Sequence, residues 1–63
     1  MSKAELSSLM STMDEIGRRI ASMAESSRAN GHEDEAIDLY EVERSIRSAV
    51  RRLSKVTDAQ RRG

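Results

Sequence analysis

The residues best equipped for chemistry lie along the second half of this 63-residue chain. Ile37, Tyr40, Arg44, Arg47 and Arg51 follow one another at spacings of 3, 4, 3 and 4, and Lys55 continues the line. On a helix that spacing gathers them into one stripe. Tyr and Arg are enriched among the residues that dominate binding interfaces. The guanidinium group also forms paired hydrogen bonds with carboxylates or phosphates. The stripe therefore points to capture of an acidic protein partner, with Tyr40 as the anchor. An overlapping set, Arg44, Arg47, Arg51, Arg52 and Lys55, offers the alternative of nucleic acid or a nucleotide ligand held through its phosphates. The plainer alternative is a solvated face in which Glu43 and Arg47 pair across one helical turn.

Other chemistry has little to work with. His32-Glu33-Asp34-Glu35 gathers potential metal ligands, but consecutive helical residues diverge, whereas a hard cation needs oxygens converging on a point. An acidic first turn matched to the helix dipole explains the cluster equally well. There is no cysteine, which removes disulfides and thiolate metal sites. The single histidine sits at a turn, without a second histidine or a buried carboxylate to work with. The expectation is a non-enzymatic protein without metal or cofactor.

Two helices must carry these residues. Ser2-Lys3-Ala4-Glu5 is a capping-box pattern that opens helix 1 near residue 3, and the helix should run to about residue 28. Asn30-Gly31 marks a turn over residues 29–32, with Gly31 suited to the left-handed residue that ends many helices. Helix 2 should span about 33–57, leaving a frayed basic tail at 58–63. Six acids and no base occupy residues 33–43, whereas residues 44–62 hold seven bases against one acid, Asp58. That polarity suits the dipole of helix 2, and it would also complement a second, antiparallel copy of the same helix. Residues 1–32 are balanced.

The apolar pattern pairs the helices. Leu6, Leu9, Met13, Ile16, Ile20 and Met23 repeat at steps of 3 and 4, as do Leu39, Val42, Ile46, Ala49, Leu53 and Val56. Folding the chain at the turn matches Leu6 with Val56, Leu9 with Leu53 and so on to Met23 with Leu39, each pair of numbers summing to 62. One constant sum means one antiparallel register. With Leu6 and Leu39 at heptad position a, the e positions are Met10, Gly17 and Ala24 against Ala36, Glu43 and Val50. This flank is mostly apolar and small. The g flank is polar, with Thr12, Arg19 and Ser26 on helix 1 and Asp38, Ser45 and Arg52 on helix 2. An apolar a/d/e arc is wider than a two-stranded seam requires. The e residues therefore mark the place where a second hairpin should dock.

The fold expected is all-α: an antiparallel, coiled-coil-like hairpin forming one domain and self-associating into a dimeric four-helix bundle. A tetramer would satisfy the same pattern. A chain this short, without disulfides or metal, needs oligomerisation to reach a stable core. No apolar run approaches the ~20 residues that span a bilayer, and the N-terminus lacks a signal-peptide pattern. The expectation is a soluble, cytoplasmic protein without a membrane partner. Its function is read as interaction and regulation, with a purely structural oligomerisation element as the third possibility.

Overall fold

The computed structural model describes residues 2–62, with side chains described for residues 2–59. It is all-helical: α1 (Lys3–Ala29) and α2 (Glu33–Arg62) pack against each other as an antiparallel hairpin. The capping box is formed. Ser2 Oγ accepts a hydrogen bond from the Glu5 amide at 3.0 Å, and the Glu5 carboxylate accepts one from the Ser2 amide at 3.0 Å. Each bond satisfies an amide that a helix start leaves unpaired. At the other end Gly31 takes φ 82°, a left-handed conformation that glycine adopts without steric cost. Its amide donates to the Arg28 carbonyl at 3.1 Å, and the His32 amide donates to the Ser27 carbonyl at 2.8 Å. These are the two bonds of a Schellman ending, which also turns the chain towards α2.

Helix α2 opens with Glu33, Asp34 and Glu35 in its first turn. It continues to Arg62, beyond the end expected near Thr57. No glycine or proline interrupts residues 32–62, so nothing in the backbone chemistry stops the helix there. Among the described residues, no helix is long and apolar enough to cross a membrane.

The register agrees with the constant-sum pairing, but the rotation of the helices does not. Gly17 lies against Ile46 and Ser27 against Glu35, within one residue of the constant sum, and the long Met10 side chain reaches Thr57, more than a turn further along α2. The interface, however, is centred one position further round each helix. Leu6, Gly17, Ala24 and Ala36 are buried, and Met10, Glu43 and Val50 are half-buried. By contrast Leu9 is 43% exposed, Ile16 42%, Met23 58%, Val42 45% and Val56 46%. The physical reason is the size of the e residues. Glycine and alanine at these positions leave room for position-a residues such as Ile46, which lies against Gly17, whereas Ile16 or Met23 in their place would hold the helices apart. Of the flank expected to receive a second hairpin, Gly17, Ala24 and Ala36 are buried between the chain's own helices, and Met10, Glu43 and Val50 are half-buried beside them. Of the d residues expected in the seam, all but the half-buried Ala49 are exposed.

The molecule is a rod of 49 × 15 × 12 Å with a radius of gyration of 14.6 Å. A compact domain of this length would have a radius of roughly 11 Å. A rod one helix thick has no interior in which to hide a second apolar stripe.

Gly17 is the one glycine inside a helix. A Cβ built there would meet Ile46 Cγ2 at 3.4 Å, an ordinary contact distance. Gly17→Ala should therefore keep the hairpin and recover helix propensity of about 0.5–1 kcal/mol. Thermal unfolding followed by circular dichroism should show a melting temperature higher by about 4–8 °C per kcal/mol. A lower melting temperature would mean that the helices approach more closely than this geometry allows.

Candidate functional site

Two surfaces, on opposite sides of the hairpin, carry what the molecule offers to others. The first is a groove of about 580 Å³ running along the junction of α1 and α2. Its floor holds Met10, Gly17, Ile46 and Val50, and its rim holds Asp14, Arg18, Glu43, Arg47 and Arg51. Pairing within the rim is extensive. Arg18 bonds Asp14 at 2.8 Å and Glu15 at 3.0 Å, and Arg47 bonds Glu43 at 2.5 Å. The Glu43 side chain is only 13% exposed, so Arg47 partners a carboxylate drawn in between the helices. Arg51 joins no ion pair among the described residues. It is the rim cation available to an outside group.

The proposed tyrosine–arginine stripe is divided by this geometry. Tyr40 and Arg47 stand beside the junction with α1, whereas Ile37, Arg44 and Arg51 lie further round α2 and are exposed. Tyr40 is half-buried, and its hydroxyl donates to Glu25 of α1 at 2.5 Å. Arg44 lies 3.9 Å from Glu41. The expected anchor is thus engaged within the chain, and only part of the stripe faces solvent uncommitted. Arg52 and Lys55 of the alternative phosphate-binding set are exposed and join no ion pair among the described residues.

The turn end of the hairpin holds a small polar network. The Ser27 hydroxyl, on a buried residue, donates to Glu35 at 2.5 Å. Glu25 receives both Tyr40 and Arg28, the latter at 3.1 Å. Extending the constant-sum register by one more step pairs Ser27 with Glu35, so that contact had a signal in the sequence. The Glu25–Tyr40 contact lies outside the heptad seam and had none. His32 stands at the start of α2, its carbonyl accepting from the Ala36 amide at 3.0 Å. Among the described residues, no group of three or more His, Asp or Glu side chains is arranged to hold a metal ion.

The second surface is apolar. Leu9, Ile16 and Met23 on α1 and Val42, Ala49 and Val56 on α2 each immediately precede an interface residue: Met10, Gly17, Ala24, Glu43, Val50 and Thr57. Consecutive residues of an α-helix point about 100° apart. Each helix thus presents two apolar directions at nearly a right angle, one to its own partner helix and one to solvent. Compared with protein-family models, curated proteins and solved structures, the chain matches none. What the protein does must be argued from these surfaces.

The polar network gives a direct reading of the hairpin. The Tyr40 hydroxyl and then Arg28 hold the Glu25 carboxyl below its ordinary 4.5, and Glu25 raises the Tyr40 phenol above its ordinary 10.0. By linkage, the Tyr40 contribution to stability is complete below pH 10.0 and is lost as pH rises through the raised folded value. The Glu25 contribution is complete above pH 4.5 and is lost as pH falls through the lowered folded value. Tyr40 is the sole aromatic residue, so ultraviolet titration of tyrosinate reports on it alone. The midpoint should lie above 10.0, and Glu25→Gln should bring it back towards that value. Equal midpoints in the two proteins would mean that Tyr40 and Glu25 do not meet in solution.

Proposed function

We propose that the protein is a small non-enzymatic interaction module whose working unit is two hairpins packed as a four-helix bundle. The observation that carries this reading is the exposed apolar line Leu9, Ile16, Met23, Val42 and Val56. Each is already about half covered, so complete burial adds roughly half of the ~1.5–3 kcal/mol that such a side chain gains on full transfer from water. Helices with two apolar faces at about a right angle are the components of a square bundle, in which every helix has two neighbours. A second copy is the economical occupant, because a twofold interface makes each apolar residue count twice. The small residues at the e positions then close each hairpin, and the d residues join one hairpin to the other.

The groove lies on the far side of the hairpin from this apolar face, so dimerisation leaves it open. Its apolar floor and the uncommitted Arg51 suit an amphipathic acidic segment of another protein. Arg44, Arg47, Arg51, Arg52 and Lys55 keep phosphate binding as the second reading, because Arg51, Arg52 and Lys55 are free of ion pairs among the described residues. Native mass spectrometry of the protein isolated gently from its host reports both features together. The core particle should weigh twice the 7.1 kDa chain, with any bound protein or nucleotide seen as added mass.

Sedimentation equilibrium provides the decisive variant test. Ile16→Lys sets a charge at the centre of the proposed interface and should weaken dimerisation by about a hundredfold or more, on the order of 3 kcal/mol. Arg44→Ala, away from that face, should leave the association unchanged. The wild-type melting temperature should rise with protein concentration, because association stabilises the folded chain. A monomer with a concentration-independent melting temperature would reject the bundle.

A further inference from the structure

We infer that the two copies pack with their turns at opposite ends, each α1 against the other α1 and each α2 against the other α2. This rests on the reading that a second copy covers the apolar face. Two arrangements make every neighbouring helix pair antiparallel. In one, the turns share an end and α2 lies beside α1 of the second copy. In the other, the turns lie at opposite ends and α2 lies beside α2.

The second arrangement requires the apolar stripes of both helices to be symmetric about the same level of the rod. Leu9, Ile16 and Met23 are symmetric about Ile16, and Val42, Ala49 and Val56 about Ala49. The contacts of Ser27 with Glu35, Gly17 with Ile46, Glu25 with Tyr40 and Met10 with Thr57 place Ile16 and Ala49 within about one helical turn of the same level. A single twofold axis passing near both places Ile16 beside Ile16, Ala49 beside Ala49, Leu9 beside Met23 and Val42 beside Val56.

Charge selects between the two. The solvent margin next to Val42, Ala49 and Val56 carries Asp38 and Glu41 at one end and Arg52 and Lys55 at the other, all exposed. Among the described residues, Asp38, Arg52 and Lys55 join no ion pair within the chain. An antiparallel α2 pair centred on Ala49 brings Glu41 of each margin within about 3 Å, along the axis, of Lys55 of the other, twice over by symmetry. The same rule of flanking charges sets partner orientation in coiled coils. With the turns at one end, α2 faces the balanced α1 instead, and the two acidic segments 33–43 occupy the same end of the bundle.

The chain lacks cysteine, so one can be introduced without competition. Asn30→Cys carrying a nitroxide label marks each turn, and double electron–electron resonance measures the distance between the two. Turns at opposite ends should give about 40 Å or more, the length of α1 at 1.5 Å per residue. A distance on the order of 10–20 Å would overturn the arrangement while leaving the dimer intact. A monomeric mass with no dipolar modulation would overturn both. Ala49→Cys supplies an independent reading. Opposite turns predict rapid oxidation to a symmetric disulfide dimer, because the two residues 49 face each other on the axis. Reluctant oxidation of Ala49→Cys, with efficient cross-linking when Ile16→Cys and Ala49→Cys chains are mixed, would place α2 on α1 and refute the inference.

Discussion

The burial of Gly17, Ala24 and Ala36 between α1 and α2 is the contact on which the rest of the molecule depends. Small side chains at one helical position bring the backbones together, and the larger residues one position earlier must then point elsewhere. That single choice sends Leu9, Ile16, Met23, Val42 and Val56 outward. On the opposite side it leaves a groove floored by Met10, Ile46 and Val50 and rimmed by charge. The two surfaces follow from one packing decision, and they differ in character because the heptad places apolar residues on one side of the junction and polar residues on the other.

The polar contacts at the turn reinforce that decision. The Schellman ending closes the carbonyls of α1, and Ser27, buried beside the turn, finds its acceptor in Glu35 of α2. Tyr40 reaches across to Glu25 near the same end. These bonds link the two helices where they are shortest in sequence separation, so the loop they close is small and its entropy cost modest. At the far end the polar contacts are weaker, and burial of Leu6 takes their place. Thr57 Oγ1 bonds the Leu53 carbonyl at 3.1 Å within its own helix and reaches Met10 Sδ of α1 at 3.7 Å. The hairpin is pinned at its turn and rests on side-chain packing elsewhere.

Much of this was legible in the residues. The helix starts, the turn, the left-handed Gly31 and the antiparallel register all follow from local chemistry with a single reading. Helix rotation does not. A heptad with apolar a, d and e positions is compatible with a seam centred on a/d or on a/e, and the pattern alone weighs Ile16 above Gly17 because it scores hydrophobicity. Packing weighs the two in the opposite order at a close helix crossing, where Gly17 fits and Ile16 does not. The pattern therefore does not show that Gly17, Ala24 and Ala36 are taken up inside the hairpin itself. In the stripe, the spacing that groups Tyr40 with Arg44 and Arg51 carries no information about Glu25, which claims the tyrosine hydroxyl from the other helix. The extension of α2 to Arg62 was missed because composition marks a tail without marking a stop.

The two kinds of residue at the exposed face divide the work of association. Apolar side chains set its strength: each, half exposed in the hairpin, gains roughly half of the ~1.5–3 kcal/mol of full burial, and two copies bring two sets. They say little about direction, because Leu, Ile, Val and Met pack acceptably in either orientation when volumes are similar. The marginal charges behave in the opposite way. An exposed pair contributes about 0–1 kcal/mol, too little to hold two chains together. Both orientations share the apolar contribution, however, so it cancels in the comparison, and a small electrostatic difference then decides. Twofold symmetry doubles that difference, because the approach of Glu41 to Lys55 occurs twice. Such charges are screened over about 8–10 Å at physiological salt. Ionic strength should thus act on the choice between orientations far more than on whether the chains associate, which separates the two contributions physically.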